Sequence, residues 1–143
     1  MRIFSVARNL AVVPAALSIA LLFGTGCGSK VAECNKLIEV LNQEGTKLAS
    51  KGADAASFKK LADDVDAASK TIGAVEVKTP ELVKFRDDMQ KFYADFASAA
   101  KNAGAAMESG DLTKVMGVTK ELSELANKNS KLVSEINGFC QGK

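Results

Sequence analysis

The sequence predicts an all-α domain, an up-down-up-down four-helix bundle over residues 31–143. Three observations predict it. Apolar residues recur at alternating spacings of three and four in four successive stretches, the repeat of helices that cross at a shallow angle. Cap and stop residues separate those stretches. The connections between them are short, so successive helices run antiparallel.

The first helix is expected over roughly residues 30–50. Its seam is Val31, Cys34, Ile38, Leu41, Gly45 and Leu48, widened by Leu37. Gly45 either weakens this helix by about 1 kcal/mol relative to Ala or lets a neighbour approach closely, and Gly52 is a plausible stop. The second begins at Asp54, a favoured N-cap type, follows Phe58, Leu61, Val65, Ala68 and Ile72, and ends near Gly73. The segment 73–78 carries an alternating Ala-Val-Glu-Val pattern. It has no partner strand elsewhere, so it is expected as a linker that packs Val75 or Val77 onto the bundle.

The third helix has the clearest start. Thr79 suits the N-cap, Pro80 the first helical position, and Glu81 the positive end of the helix dipole. Its seam runs from Leu82 through Phe85, Met89, Phe92 and Phe96 into Ala99, Ala103 and Ala106. The small residues Ala97, Ala100 and Gly104 would permit a close helix approach, read as tapering of the core rather than as a partner groove. The fourth helix starts at Asp111, after Ser109-Gly110. It carries two overlapping stripes, one through Leu112, Val115, Thr119, Leu122, Ala126, Asn129, Val133, Ile136 and Cys140, the other adding Val118, Leu125, Leu132 and Phe139. A stripe that wide suits a helix touching two neighbours, and Gly138 and Gly142 mark its end.

Ahead of the bundle lies a different kind of segment. The first eight residues carry Arg2 and Arg8 and no acid, and an apolar run of 14 residues follows from Leu10 to Phe23. As a helix that run spans about 21 Å, short of the roughly 20 residues needed to cross a bilayer. It matches the apolar region of a signal peptide. Gly24-Thr25-Gly26-Cys27 closes it, and this resembles the lipobox of bacterial lipoproteins, with Gly24 where the family usually has Leu. The resemblance covers only about the first 28 residues. It implies cleavage after residue 26, lipidation of Cys27 (a diacylglyceryl thioether and a palmitate-type acyl chain on the new amino terminus) and a lipidated tether over residues 27–30. More than one acyl chain makes such anchoring stable. The ordinary signal peptidase would also cut before Cys27, leaving its sulfur free. Gly28 and Ser29 follow with no Asp, as in lipoproteins sorted to the outer membrane. The expected location is therefore the cell envelope, lipid-anchored outside the cytoplasm, in the outer membrane facing the periplasm.

If lipid consumes Cys27, two cysteines remain, Cys34 and Cys140. In an oxidising compartment such a pair is expected to form a disulfide; the alternative is two buried thiols. An up-down-up-down order places the start of the first helix beside the end of the fourth, where these two residues sit.

Composition narrows the chemistry. Lys and Arg total 19 and Asp and Glu 17 over 143 residues. Without Arg2 and Arg8 the mature chain is balanced, which argues against nucleic-acid binding. There is no histidine and no tryptophan, and one tyrosine, Tyr93. Histidine-based catalysis and histidine-ligated metals or haem are excluded. No nucleophile–base pair or phosphate loop occurs, so no catalytic residue, metal site or cofactor is expected.

The remaining polar features have simple readings. Asp63, Asp64 and Asp66 diverge on one helix and pair with Lys59, Lys60 and Lys70 at i,i+4 spacing; Asp87 and Asp88 read likewise beside Lys84 and Lys91. Asn35, Asn42 and Asn129 could set helix register or line a polar pocket. Met89, Met107 and Met116 read as core filling. The expected function is thus a non-catalytic, membrane-anchored envelope lipoprotein that acts through contacts with an unknown protein partner. The alternative is a bundle that binds a small apolar ligand or lipid, for which helix three could line the cavity.

Overall fold

The computed structural model describes residues 25–48 and 54–142. Four helices account for nearly all of them: α1 (Thr25–Leu48), α2 (Ala55–Gly73), α3 (Pro80–Ser109) and α4 (Leu112–Cys140). No strand occurs among the described residues. The fold is an all-α four-helix bundle. The expected leader over residues 1–24 lies outside the described residues.

Caps set the helix starts. The Asp54 carboxylate accepts from the Ser57 backbone N–H at 2.7 Å and opens α2. Asp111 does the same for α4 through Lys114 at 3.1 Å. Gly110, with φ 67°, makes the left-handed turn between α3 and α4, a conformation that costs other residues more. Pro80 occupies the first turn of α3 as expected, but the Thr79 side chain makes no capping bond. Just ahead of the first turn, the carboxylate of Glu33 on α1 accepts from the backbone N–H groups of Lys78 and Thr79, each at 2.8 Å. A full charge at a helix N-terminus makes stronger bonds than a hydroxyl, and the contact ties α1 to α3.

α2 and α3 form the most intimate pair. A Cβ added at Gly104 would lie 3.1 Å from the Ala55 carbonyl oxygen and 3.2 Å from the Lys59 stem. The small residues of α3 therefore serve close packing against α2, in line with the tapered-core reading. Val65, Ala68 and Ile72 meet Met89 and Phe92 of α3 and Leu125 and Leu132 of α4 in the main core. The Ser69 hydroxyl donates to the Gln90 carbonyl at 2.9 Å and so needs no water. A second cluster joins Cys34 and Leu37 of α1 to Val75, Val77 and Leu82. Both valines of the linker are buried, and no strand forms there.

Cys34 and Cys140 form a disulfide, with Cα atoms 5.7 Å apart. The start of the first helix and the end of the fourth thus lie side by side.

Four expectations need correction. Helix α1 begins at Thr25, not near Lys30, so residues 27–30 are helical rather than an extended tether. Only Gly28 disfavours helix there, by about 1 kcal/mol, and each added residue gains a backbone bond. The seven residues from Cys27 to Cys34 then rise about 10 Å. Second, the face of α1 is rotated: Val31 is 55% exposed, while Leu37 and Glu44 are buried. The disulfide and the linker valines draw Cys34 and Leu37 inward together. Third, α4 runs through Gly138 to Cys140, where the disulfide holds its last turn. Fourth, the start of the Leu112 stripe of α4 is uncovered, although Leu122 and Ile136 further along reach the main core: Leu112 is 76% exposed and the nearby Met116 73%. Leu48 lies fourteen residues after Cys34, and Ala126 fourteen before Cys140. The described part of α1 therefore ends level with Ala126, and the first half of α4 has no α1 beside it.

The caps make stability acid-sensitive. Backbone N–H bonds hold the carboxyls of Glu33, Asp54 and Asp111 below their ordinary range. A group with a depressed native pKa stabilises the fold above its unfolded pKa, and this is lost as pH falls through the native value. The melting temperature is expected to be flat near neutrality and to drop below about pH 4. Glu33→Gln should lower the neutral melting temperature and flatten part of that acid slope. An unchanged slope would remove Glu33 from the explanation.

Candidate cleft between α1, α3 and α4

Part of the α4 stripe that sequence assigns to a neighbouring helix instead borders open space. Beside its second half, α1 is pinned by the disulfide, and Ile38, Leu41 and Leu48 pack onto the main core without closing the gap to α4. The gap is a cleft of about 380 Å³. Ile38, Leu41, Asn42 and Gly45 of α1 form one wall, and Asn129, Val133 and Asn137 of α4 the other. Met89 and Tyr93 of α3 form the floor. A second cleft of about 280 Å³ adjoins it, lined by Leu48, Leu61, Phe92, Phe96 and Ala126, with Tyr93 and Asn129 again in its wall. Those two residues belong to both; the first cleft sets three asparagines among apolar side chains, and the second is almost wholly apolar and aromatic.

Tyr93 is central. It is 7% exposed and stacks edge-on against Phe92, with ring centroids 5.4 Å apart. Burial pushes its hydroxyl above the usual phenol pKa, and the nearby Glu44 charge adds to the shift. Glu44 is itself 5% exposed and receives Lys47 Nζ at 2.6 Å. Tyr93 is therefore a neutral donor and acceptor at any ordinary pH.

Sequence reading singled out part of this site. Asn129 and Asn42 line opposite walls of the cleft, whereas Asn35 is exposed and takes no part. Gly45 lies in the wall, and a Cβ added there would meet nothing within 4 Å; no neighbouring helix uses its small size. Tyr93, Asn137 and the buried Glu44 were missed. Tyr93 falls one residue beyond the Phe92 seam position, so only the convergence of three helices on α3 could have marked it.

The acidic residues are solvated pairs, as expected, with some exchange of partners. Lys60 binds Asp64 at 3.3 Å and Lys70 binds Asp66 at 2.7 Å, and Lys84 pairs with Asp88. Lys59 reaches across to Glu108 on α3 instead of Asp63, and Asp87 pairs with Arg86. Burial raises the Asp95 carboxyl, but Lys91 and Lys128 outweigh it and leave its pKa lowered. No cluster of metal-ligand residues occurs among the described residues. Met89 is core, but Met107 and Met116 are exposed, not core filling.

Cys27 lies in the first turns of α1, seven residues before the disulfide, and its side chain is outside the described part. Among the described residues no helix is long and apolar enough to cross a membrane. The chain matches no protein-family model, no curated protein and no solved structure.

Proposed function

We propose that this chain is a non-catalytic lipoprotein of the cell envelope, anchored through acylated Cys27 and acting through protein contacts at the far end of its bundle. The reading rests on one arrangement, the polarity of the molecule along its length. The disulfide clamps the end that follows Cys27. The most exposed large apolar residues among those described, Leu112 and Met116, sit at the opposite end with half-exposed Met107. Phe58, Met107, Val115 and Val118 border an apolar cleft of about 230 Å³ there. Exposed apolar surface rimmed by charge is characteristic of contact sites. A tether at one end leaves that surface about 40 Å away, the length of α4 at 1.5 Å per residue.

Cell fractionation tests the anchor. The wild-type chain is expected in the membrane pellet and resistant to salt, while Cys27→Ser is expected in the soluble fraction of the envelope. Equal membrane retention of the two would refute acyl anchoring. A photo-crosslinking residue at position 116 should capture a discrete protein adduct in cells, and one at position 63, on the charged face of α2, should not. Identical labelling from both would remove the contact role of the tip.

A further inference from the structure

We propose that the cleft between α1, α3 and α4 binds a neutral single-chain amphiphile, its alkyl chain against Leu48, Leu61, Phe92 and Phe96 and its uncharged head on Tyr93, Asn42 and Asn129. This site is independent of the protein contacts assigned to the distal tip.

The first support is a nearly buried tyrosine whose hydroxyl stays at the open cleft. Tyr93 is 7% exposed, and its hydroxyl bonds to no described residue. Among the described residues no polar side-chain atom is sealed from solvent without a partner, so this hydroxyl is reached from the clefts that Tyr93 lines. Asn42, Asn129 and Asn137 line the same space, and their side-chain amides likewise make no bond to a described residue. Each amide offers two donors and an acceptor. Four neutral hydrogen-bonding groups therefore converge on space that the fold leaves open.

Gly45 is the second support. A glycine inside a helix is disfavoured unless a close approach needs it. Nothing approaches Gly45 within 4 Å of where a Cβ would stand. Its missing side chain enlarges the cleft and serves no packing contact.

Charge selects the head group. Neither compartment has a Lys, Arg, Asp or Glu in its lining, and the Glu44 charge acts on Tyr93 from close by. An anionic head would meet no cation and would be repelled. A hydroxyl or amide head fits the amides and the phenol. Size selects the tail. Each compartment is at or near the lower range of small-ligand sites, and a helix about 10 Å across would fill either within a single turn. An unbranched alkyl chain fits the apolar half without that demand.

Tyr93 supplies the reporter, because it is the only tyrosine in the chain. The full chain, isotope-labelled at tyrosine and reconstituted in phospholipid nanodiscs, gives ring signals from this residue alone. Monododecanoylglycerol should shift them saturably. Dodecanoate should need at least ten times more, and glycerol should have no effect. Gly45→Phe fills open space and improves helix propensity, so it should keep the melting temperature while weakening the response at least tenfold. Asn129→Leu, which removes one hydrogen-bonding group, should weaken it roughly 3- to 10-fold. Ring signals unmoved by monododecanoylglycerol would overturn the proposal. So would a wild-type response in folded Gly45→Phe, or tighter binding of dodecanoate than of the neutral ester.

Discussion

Breaking the Cys34–Cys140 bond is expected to lower stability by about 3–5 kcal/mol. The bond closes a loop across a sequence separation of 106 residues, for which the loop-entropy model gives close to 4.7 kcal/mol. That is a large share of a typical domain stability of about 5–15 kcal/mol. The effect should also be uneven. α2, α3 and α4 share the main core, whereas α1 contributes buried side chains chiefly at Cys34, Leu37 and Glu44. After reduction, or in Cys34→Ser, amide exchange should rise along residues 34–48 before it rises in α2 or α3. Uniform loss of protection across all four helices would show that α1 is an equal member of the cooperative unit. Unchanged stability would show that the reduced ensemble is already restrained by other contacts.

Ile72→Ala is expected to cost about 2–5 kcal/mol, the usual range for truncating a fully buried aliphatic side chain. Ile72 is fully buried in the core shared by α2, α3 and α4. α2 and α3 are held close by their small residues, so the surrounding backbone has little freedom to collapse into the void. Leu112→Ala, at a position 76% exposed, should stay within about 0.5 kcal/mol. Denaturant midpoints of the two variants measure the contrast directly. Comparable losses would mean that the α4 tip is packed in solution. In that case the exposed apolar surface on which the contact role depends would not exist.

The fold was legible where local chemistry decides it. Asp54 and Asp111 cap α2 and α4 because a short carboxylate reaches the free N–H groups of a helix start, and that rule depends on nothing distant. The seams of α2 and α3 were legible for a related reason. The buried positions of α3 run from Leu82 to Ala106 along its whole length, so its seam finds partners throughout. Sequence reasoning failed where long-range placement decides the outcome. Thr79 takes the N-cap position as expected, but its hydroxyl makes no capping bond, and the carboxylate that accepts from its backbone N–H belongs to a residue 46 positions away that no local pattern announces. The Leu112–Ile136 stripe of α4 has the spacing of a packed seam. Part of it borders a groove because α1, alongside Asn129, Val133 and Asn137, does not close onto α4. Periodicity reports which face is apolar and not whether a neighbour lies close enough to cover it. Asn42 and Asn129 were recognisable as unusual seam residues. Their union with Tyr93 follows from the splay of α1, which the disulfide and the Val75–Val77 linker impose at one end only.

The central claim is that the clamped end of the bundle is the membrane end. The most direct test is the intact mass of the chain recovered from the membrane fraction, taken before and after reduction with alkylation. The account predicts a chain that begins at Cys27, carries diacylglyceryl and acyl additions, and accepts alkyl groups at Cys34 and Cys140 only after reduction. A product with an unmodified Cys27, or one in which Cys34 and Cys140 alkylate without reductant, would contradict it.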